Sequence, residues 1–193
     1  MKKSTLLFMV LITSSLFVFE GCKSKKKAKA EPPKGEVQVK LYCSGADYFT
    51  TKDYFRANSL GESTDQVAAK KKAMSNAKAE LASMVNTTIK GVIDNYLNSR
   101  EFNNKEELEE RFESLTREVI NQEISGIKVI CEEHTKTQEN TYKTYLAIEL
   151  SADKLASSIK ERLANDERLK IDYDYEKFKK TFDEEMKKLE QGY

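Results

Sequence analysis

Tryptophan is absent from this chain of 193 residues, and there are only two prolines, seven glycines, three cysteines and one histidine. So few Pro and Gly exclude a collagen-like or Pro/Gly-rich disordered chain and argue against a β-sandwich built on many tight turns. One histidine and three cysteines leave little for a protein-built metal cage. A Ser-His-Asp or Cys-His catalytic system would have to use His134. Neither sign of charge is in excess, with 33 Lys and Arg against 32 Asp and Glu. Long apolar runs are also missing, apart from the 14 residues Leu6 to Phe19. As a helix that run spans about 21 Å, against roughly 30 Å for a bilayer core. What the chain does have is 34% charged and 39% hydrophobic residues, with nine Tyr and nine Phe. This composition fits one helix-rich domain.

The start of the chain reads as an address. Met1-Lys2-Lys3 is a positive n-region, and the run 6–19 has the length of a signal-peptide h-region. The residues after it, Glu20-Gly21-Cys22, lack the small-residue pattern of an ordinary secretory cleavage site. They resemble a lipobox, the processing signal of bacterial lipoproteins. That resemblance implies cleavage between Gly21 and Cys22 and a lipid on Cys22, with acyl chains of the palmitate class. Phe19 stands where Leu is usual and Glu20 where Ser or Ala is usual, a looseness typical of Bacteroidetes-like bacteria. One acyl chain binds a membrane only marginally, at about 0.8 kcal/mol per buried CH₂, whereas several anchor it stably.

Residues 22–35 read as a tether. Lys23 to Lys34 holds six Lys and one Glu, with nothing apolar larger than Ala or Pro to bury. From Gly35 onward 25 basic residues face 30 acidic ones, so a basic leash leads into an acidic domain. The leash either spaces the domain from the membrane or presses on anionic headgroups, at about 1 kcal/mol per Lys near the surface. It lacks the interleaved aromatics of a nucleic-acid site, and no nucleic-acid partner is expected.

The expected organisation is 1–21 signal peptide, 22–35 lipidated Cys and tether, 36–165 an α+β domain, and 166–193 a C-terminal helical extension. Val37, Val39, Leu41 and Cys43 alternate with Gln38, Lys40 and Tyr42, which predicts a half-buried strand. Residues 44–62 read as a long connection carrying Tyr48, Phe49, Tyr54 and Phe55, with room for a short strand or a turn. Ser63 and Gln66 resemble a capping box for a helix over 64–99, with Ala69, Ala73 and Ala77 as a smooth face for close approach to a sheet. Gly91 marks a possible bend. A second helix runs from Asn103 or Asn104 to Ser125-Gly126 with Leu108, Phe112, Leu115, Val119 and Ile120 inward. Residues 127–137 and 142–150 form a hairpin around Gln138-Glu139-Asn140. Ser151 caps a third helix, and a fourth covers 174–190. The fold class is α+β: a three-stranded, mainly antiparallel sheet with long helices on one face, in the order β-α-α-β-β-α-α.

Phe55-Arg-Ala-Asn-Ser-Leu-Gly-Glu-Ser and Ala68 to Ala82 resemble the Lpp-twenty family of small bacterial envelope lipoproteins, and the likeness continues through Gly126-Ile-Lys-Val and Tyr142 to Leu150. The resemblance implies an envelope location and an α/β sandwich-like domain, and it carries no catalytic residues.

Four other features are weighed. His134, after Glu132 and Glu133, reads as an exposed strand residue. Asp172, Asp174, Asp183, Glu184 and Glu185 match no EF-hand spacing and read as a solvated helix face. Lys70-Lys71-Lys72 reads as surface charge. Tyr48, Phe49, Tyr54 and Phe55 either cover the sheet or present an aromatic patch to a partner. With Cys22 lipidated, Cys43 and Cys131 form an even pair, each in phase with the apolar face of its expected strand. They are either bridged in an oxidising compartment or two free buried thiols. The expected function is a non-catalytic interaction or structural role in the cell envelope, lipid-anchored in the outer membrane and facing the periplasm. It needs no cofactor and has the membrane and an envelope protein as partners. A hydrolase or ligand-transfer protein with an unrecognised site is the alternative.

Overall fold

A computed structural model describes residues 35, 37, 39–99, 104–167, 169 and 173–192. The expected signal peptide, Gly21, Cys22 and all of the Lys-rich run lie outside these residues. The chain divides into two compact units, Met1–Val39 and Lys40–Tyr193, and all the elements below belong to the second.

The elements are β1 (Tyr54–Ser63), α1 (Gln66–Asn98), α2 (Lys105–Ser125), β2 (Lys128–Lys136), β3 (Tyr142–Ser151), α3 (Ala152–Ala164) and α4 (Tyr175–Gln191). A short 3-10 turn, Ala46–Tyr48, precedes β1. The sheet is antiparallel throughout in the order β1-β3-β2, so the chain is α+β with the expected order of elements.

The first strand is not where hydrophobic alternation put it. Val37 is 85% exposed and Val39 74%, and none of the described residues of 37–43 joins a strand. The strand is 54–63 instead. Its inward residues are Phe55, Ala57, Ser59 and Gly61, small after the first, while Tyr54, Arg56, Asn58, Leu60 and Glu62 point outward. The alternation is one of size rather than of hydropathy, because α1 doubles back over this strand. The Ser59 hydroxyl donates to the Ala73 carbonyl at 2.5 Å, and Ala69, Ala73 and Ala77 are fully buried. The Ala stripe of α1 therefore does face the sheet.

Asp65, rather than the expected Ser63, caps α1, accepting the Ala68 amide at 2.7 Å. Ser151 caps α3, accepting the Lys154 amide, and Asp174 caps α4, accepting the Lys177 amide. Asn104 occupies the cap position of α2 without a side-chain cap bond. Gly91 lies within the continuous α1, and a Cβ there would sit 3.4 Å from Glu185 of α4. Its small size serves that approach.

One core joins the helices to the inner face of β3, where Leu146, Ile148 and Leu150 are buried. The C-terminal helical extension packs into that core: Leu169, Phe178, Phe182 and Met186 are buried, and Phe182 meets Phe55 edge-on at 6.4 Å. The Tyr96 hydroxyl accepts the Asp174 amide at 2.8 Å, which ties the start of α4 to α1.

Candidate functional site

The outer face of the sheet, away from the helices, carries exposed apolar side chains beside a charged pair. A strap of residues 40–50 crosses it. The Tyr42 ring meets Tyr145 of β3 edge-on at 5.3 Å. The Arg56 guanidinium donates to the carbonyls of Asp47 and Phe49, at 3.5 and 3.3 Å. Thr50 Oγ1 accepts the Arg56 amide at 2.9 Å and donates to the Arg56 carbonyl at 3.1 Å. Beneath the strap Ala147 is fully buried.

A disulfide fastens the strap. Cys43 and Cys131 are bridged, with Cα atoms 5.5 Å apart. The faces and the strand are not those expected from phase. Cys43 lies in the strap with φ +51°, outside any strand. A bulge between Val129 and Cys131 shifts the register of β2, so Cys131 opposes Ala147 on the outer face while Val129 opposes Ile148 on the inner one. One extra residue turns the thiol to the side where the strap passes.

Two exposed apolar spots flank the strap. Leu41 and Tyr42 are both 54% exposed and Leu60 is exposed too; Tyr145 meets the Tyr42 ring and is the cross-strand partner of Leu60. Phe49 (60% exposed) and Tyr54 lie around Arg56, whose guanidinium sits 5.2 Å from the centre of the Tyr54 ring. Arg56 pairs with Glu149, and Lys128 reaches the same carboxylate. Phe55 faces inward, so the four expected aromatics divide: Phe55 is core, Phe49 and Tyr54 are surface, and Tyr48 is half-buried. Hydropathy alternation missed Leu60, Tyr145 and the Arg56–Glu149 pair. The large outward residues of 54–62 were the available signal.

Elsewhere the charged groups serve the fold. His134 hydrogen-bonds Thr144 Oγ1 through Nδ1 and Glu132 through Nε2, both at 3.0 Å. Lys70 of α1 meets Glu132 at 2.7 Å and, with His134 beside it, holds that carboxyl below the ordinary glutamate range. Lys72 donates to the Glu62 carbonyl. Burial pushes the Glu123 carboxyl up, yet Lys154 at 2.8 Å and the Ser158 hydroxyl at 2.9 Å outweigh it and leave the group lowered. Arg111 holds the buried Asp166 at the end of α3, with Nε 2.9 Å from the carboxylate.

Of the expected solvated carboxylates, Asp174 is a cap and Asp183 pairs with Lys179, while Asp172 lies outside the described residues. Glu185 departs from that expectation. It is 8% exposed, accepts from Asn95 at 3.0 Å and Lys188 at 2.5 Å, and rests against Gly91. A carboxylate packed between two helices needs those donors to offset its lost water.

Among the described residues, no group of three or more His, Cys, Asp and Glu is placed to hold a metal, and no helix is long and apolar enough to cross a membrane. An open groove of about 390 Å³ lies between α1 and α2, rimmed by Asn86, Lys90, Glu113, Arg117 and Asn121. No family model, no curated protein and no solved structure matches this chain.

Proposed function

We propose that this chain is a bacterial envelope lipoprotein, anchored by a lipid on Cys22 and cleaved after Gly21, and that its domain works by non-catalytic contact with another envelope protein. The anchor reading is supported by the n-region, the 14-residue apolar run and the Gly21-Cys22 junction. The Lys-rich tether and the Lpp-twenty-like stretches at 55–63 and 68–82 agree with an outer-membrane anchor and a periplasm-facing domain.

The observation that carries the contact reading is the pair of exposed spots on the outer face, Leu41-Tyr42-Leu60 and Phe49-Tyr54, around the charged pair Arg56–Glu149. Exposed apolar side chains beside a fixed ion pair suit a protein partner. Tyr and Arg are also the residue types in which binding energy concentrates.

The test is a photo-crosslinking amino acid placed at Phe49 or Leu60 of the full chain in intact cells, with Ser114 on α2 as the control position. Adducts of one discrete mass from 49 and 60, absent from 114, support the reading. Indistinguishable patterns from all three positions contradict it.

A further inference from the structure

The two edges of the sheet are finished differently. On β1 the outward backbone groups are taken up by side chains. Thr50 serves both the amide and the carbonyl of Arg56, Asn76 donates to the Leu60 carbonyl at 3.3 Å, and Lys72 donates to the Glu62 carbonyl at 3.0 Å. On β2 no side chain among the described residues does this, and β3 is the only element that packs along it to any extent. An open edge presents unpaired amides and carbonyls ready to template another strand.

The pattern of pairing identifies those groups. Arg56 points its backbone away from β3, so the residues of β1 that bond β3 are Phe55, Ala57, Ser59 and Gly61, opposite Leu150, Ile148, Leu146 and Thr144. Alternation then gives Lys143, Tyr145 and Ala147 to β2, where they meet Thr135, Glu133 and Cys131. The backbone groups left outward on β2 beyond its bulge are those of Glu132, His134 and Lys136.

We infer that the β2 edge pairs antiparallel with β2 of a second copy of this chain, on a two-fold axis through His134, to give a continuous six-stranded sheet. Charge selects both occupant and register. With the axis at His134, each Glu132 opposes Lys136 of the other copy, twice. An axis at Glu132 would set that carboxylate against itself. An axis at Glu133 would again oppose like charges. Like charges directly opposite are destabilising and opposite charges stabilising. Lys136 has no carboxylate partner among the described residues and reaches only the Tyr142 ring, at 4.9 Å. On Glu132, Lys70 and His134 both engage Oε1, which leaves Oε2 for the other copy. The axis runs perpendicular to the sheet and keeps both helix layers on one side. The bulge at 129–131 and the pair Lys128–Glu149 confine the pairing to 131–137. This inference does not depend on the anchor at Cys22.

The experiment uses single cysteines in the purified full chain, oxidised in solution, so its outcome does not turn on the anchor. In a hydrogen-bonded antiparallel pair the Cα atoms lie about 5.5 Å apart, within the ~4.4–6.8 Å span of a disulfide. His134→Cys should convert most of the chain to a covalent dimer, while the parent chain and Glu132→Cys stay monomeric. In the His134→Cys background, Lys136→Glu should abolish the dimer, and Glu132→Lys with Lys136→Glu should restore it. A monomeric His134→Cys, equal crosslinking by Glu132→Cys, or a charge reversal without effect would overturn the inference.

Discussion

A methyl group added to Gly61 would lie 2.1 Å from the Ala69 carbonyl oxygen and 2.4 Å from the Ala73 amide nitrogen. Both are backbone atoms of α1 and cannot turn aside, so Gly61→Ala must push the helix off the sheet. Overpacking of this kind costs about 1–3 kcal/mol, and the denaturant midpoint should fall accordingly. An unchanged midpoint would mean that α1 does not cross β1 at this point. Glu123 permits a test with a sign. Its carboxyl is lowered in the folded chain by Lys154 and Ser158, against the upward push of burial. The stability it contributes is therefore complete above its unfolded value of about 4.3 and is lost as pH falls through the lower folded value. Lys154 is well exposed, so Glu123→Gln should cost about 1 kcal/mol at pH 7. The difference from the parent should close once pH has fallen below the lowered folded value, where both carry a neutral group. A difference that stays constant with pH would remove the ion pair from the account. Buried carboxylates such as Glu123 and Glu185 were not legible in the sequence, because the donors that make them tolerable lie on other helices, at Lys154, Ser158 and Asn95.

At the scale of elements, the strand over 142–151 and its hairpin could be read from period alone, since β3 is central and its inner face is purely core. The helices were equally legible from their apolar stripes, and of the caps Ser151 was read correctly while Ser63 was not. The first strand was not, because close packing of an Ala-faced helix demands Ala, Ser and Gly on the strand beneath it, and these carry no hydropathy signal. Val37-Val39-Leu41 carries the signal without the burial. Two substitutions separate these cases. Leu146→Ala should cost about 2–5 kcal/mol as a buried cavity, whereas Val39→Ala, at an exposed position, should stay within about 0.5 kcal/mol of the parent. Comparable losses from both would return 37–43 to the core. The bulge in β2 shows a second limit of periodicity. One inserted residue moves Cys131 to the opposite face, and nothing in the run Lys-Val-Ile-Cys announces it. The even count of cysteines predicted a partner for Cys131 better than strand phase predicted where they would meet.

For the whole molecule, the bridge between Cys43 and Cys131 spans 88 residues of sequence and encloses β1, α1 and α2. In the chain-entropy model a loop of that size is worth about 4–5 kcal/mol. Replacing both cysteines with serine should lower the denaturant midpoint and leave the strap over Ala147 more open to amide exchange than β3. A double variant as stable and as protected as the parent would show that the strap is held by Arg56 and Tyr42 alone. The bridge also fits an oxidising compartment, which joins the fold to the proposed address. That address is the central claim, and metabolic labelling of cells with a clickable fatty acid tests it most directly. The parent chain should take up the probe and stay with the membrane fraction through a high-salt wash, which screens any contact made by the Lys-rich tether alone. Cys22→Ser should take up none and be released by the wash. Equal labelling of the two chains, or no labelling of the parent, would contradict the account.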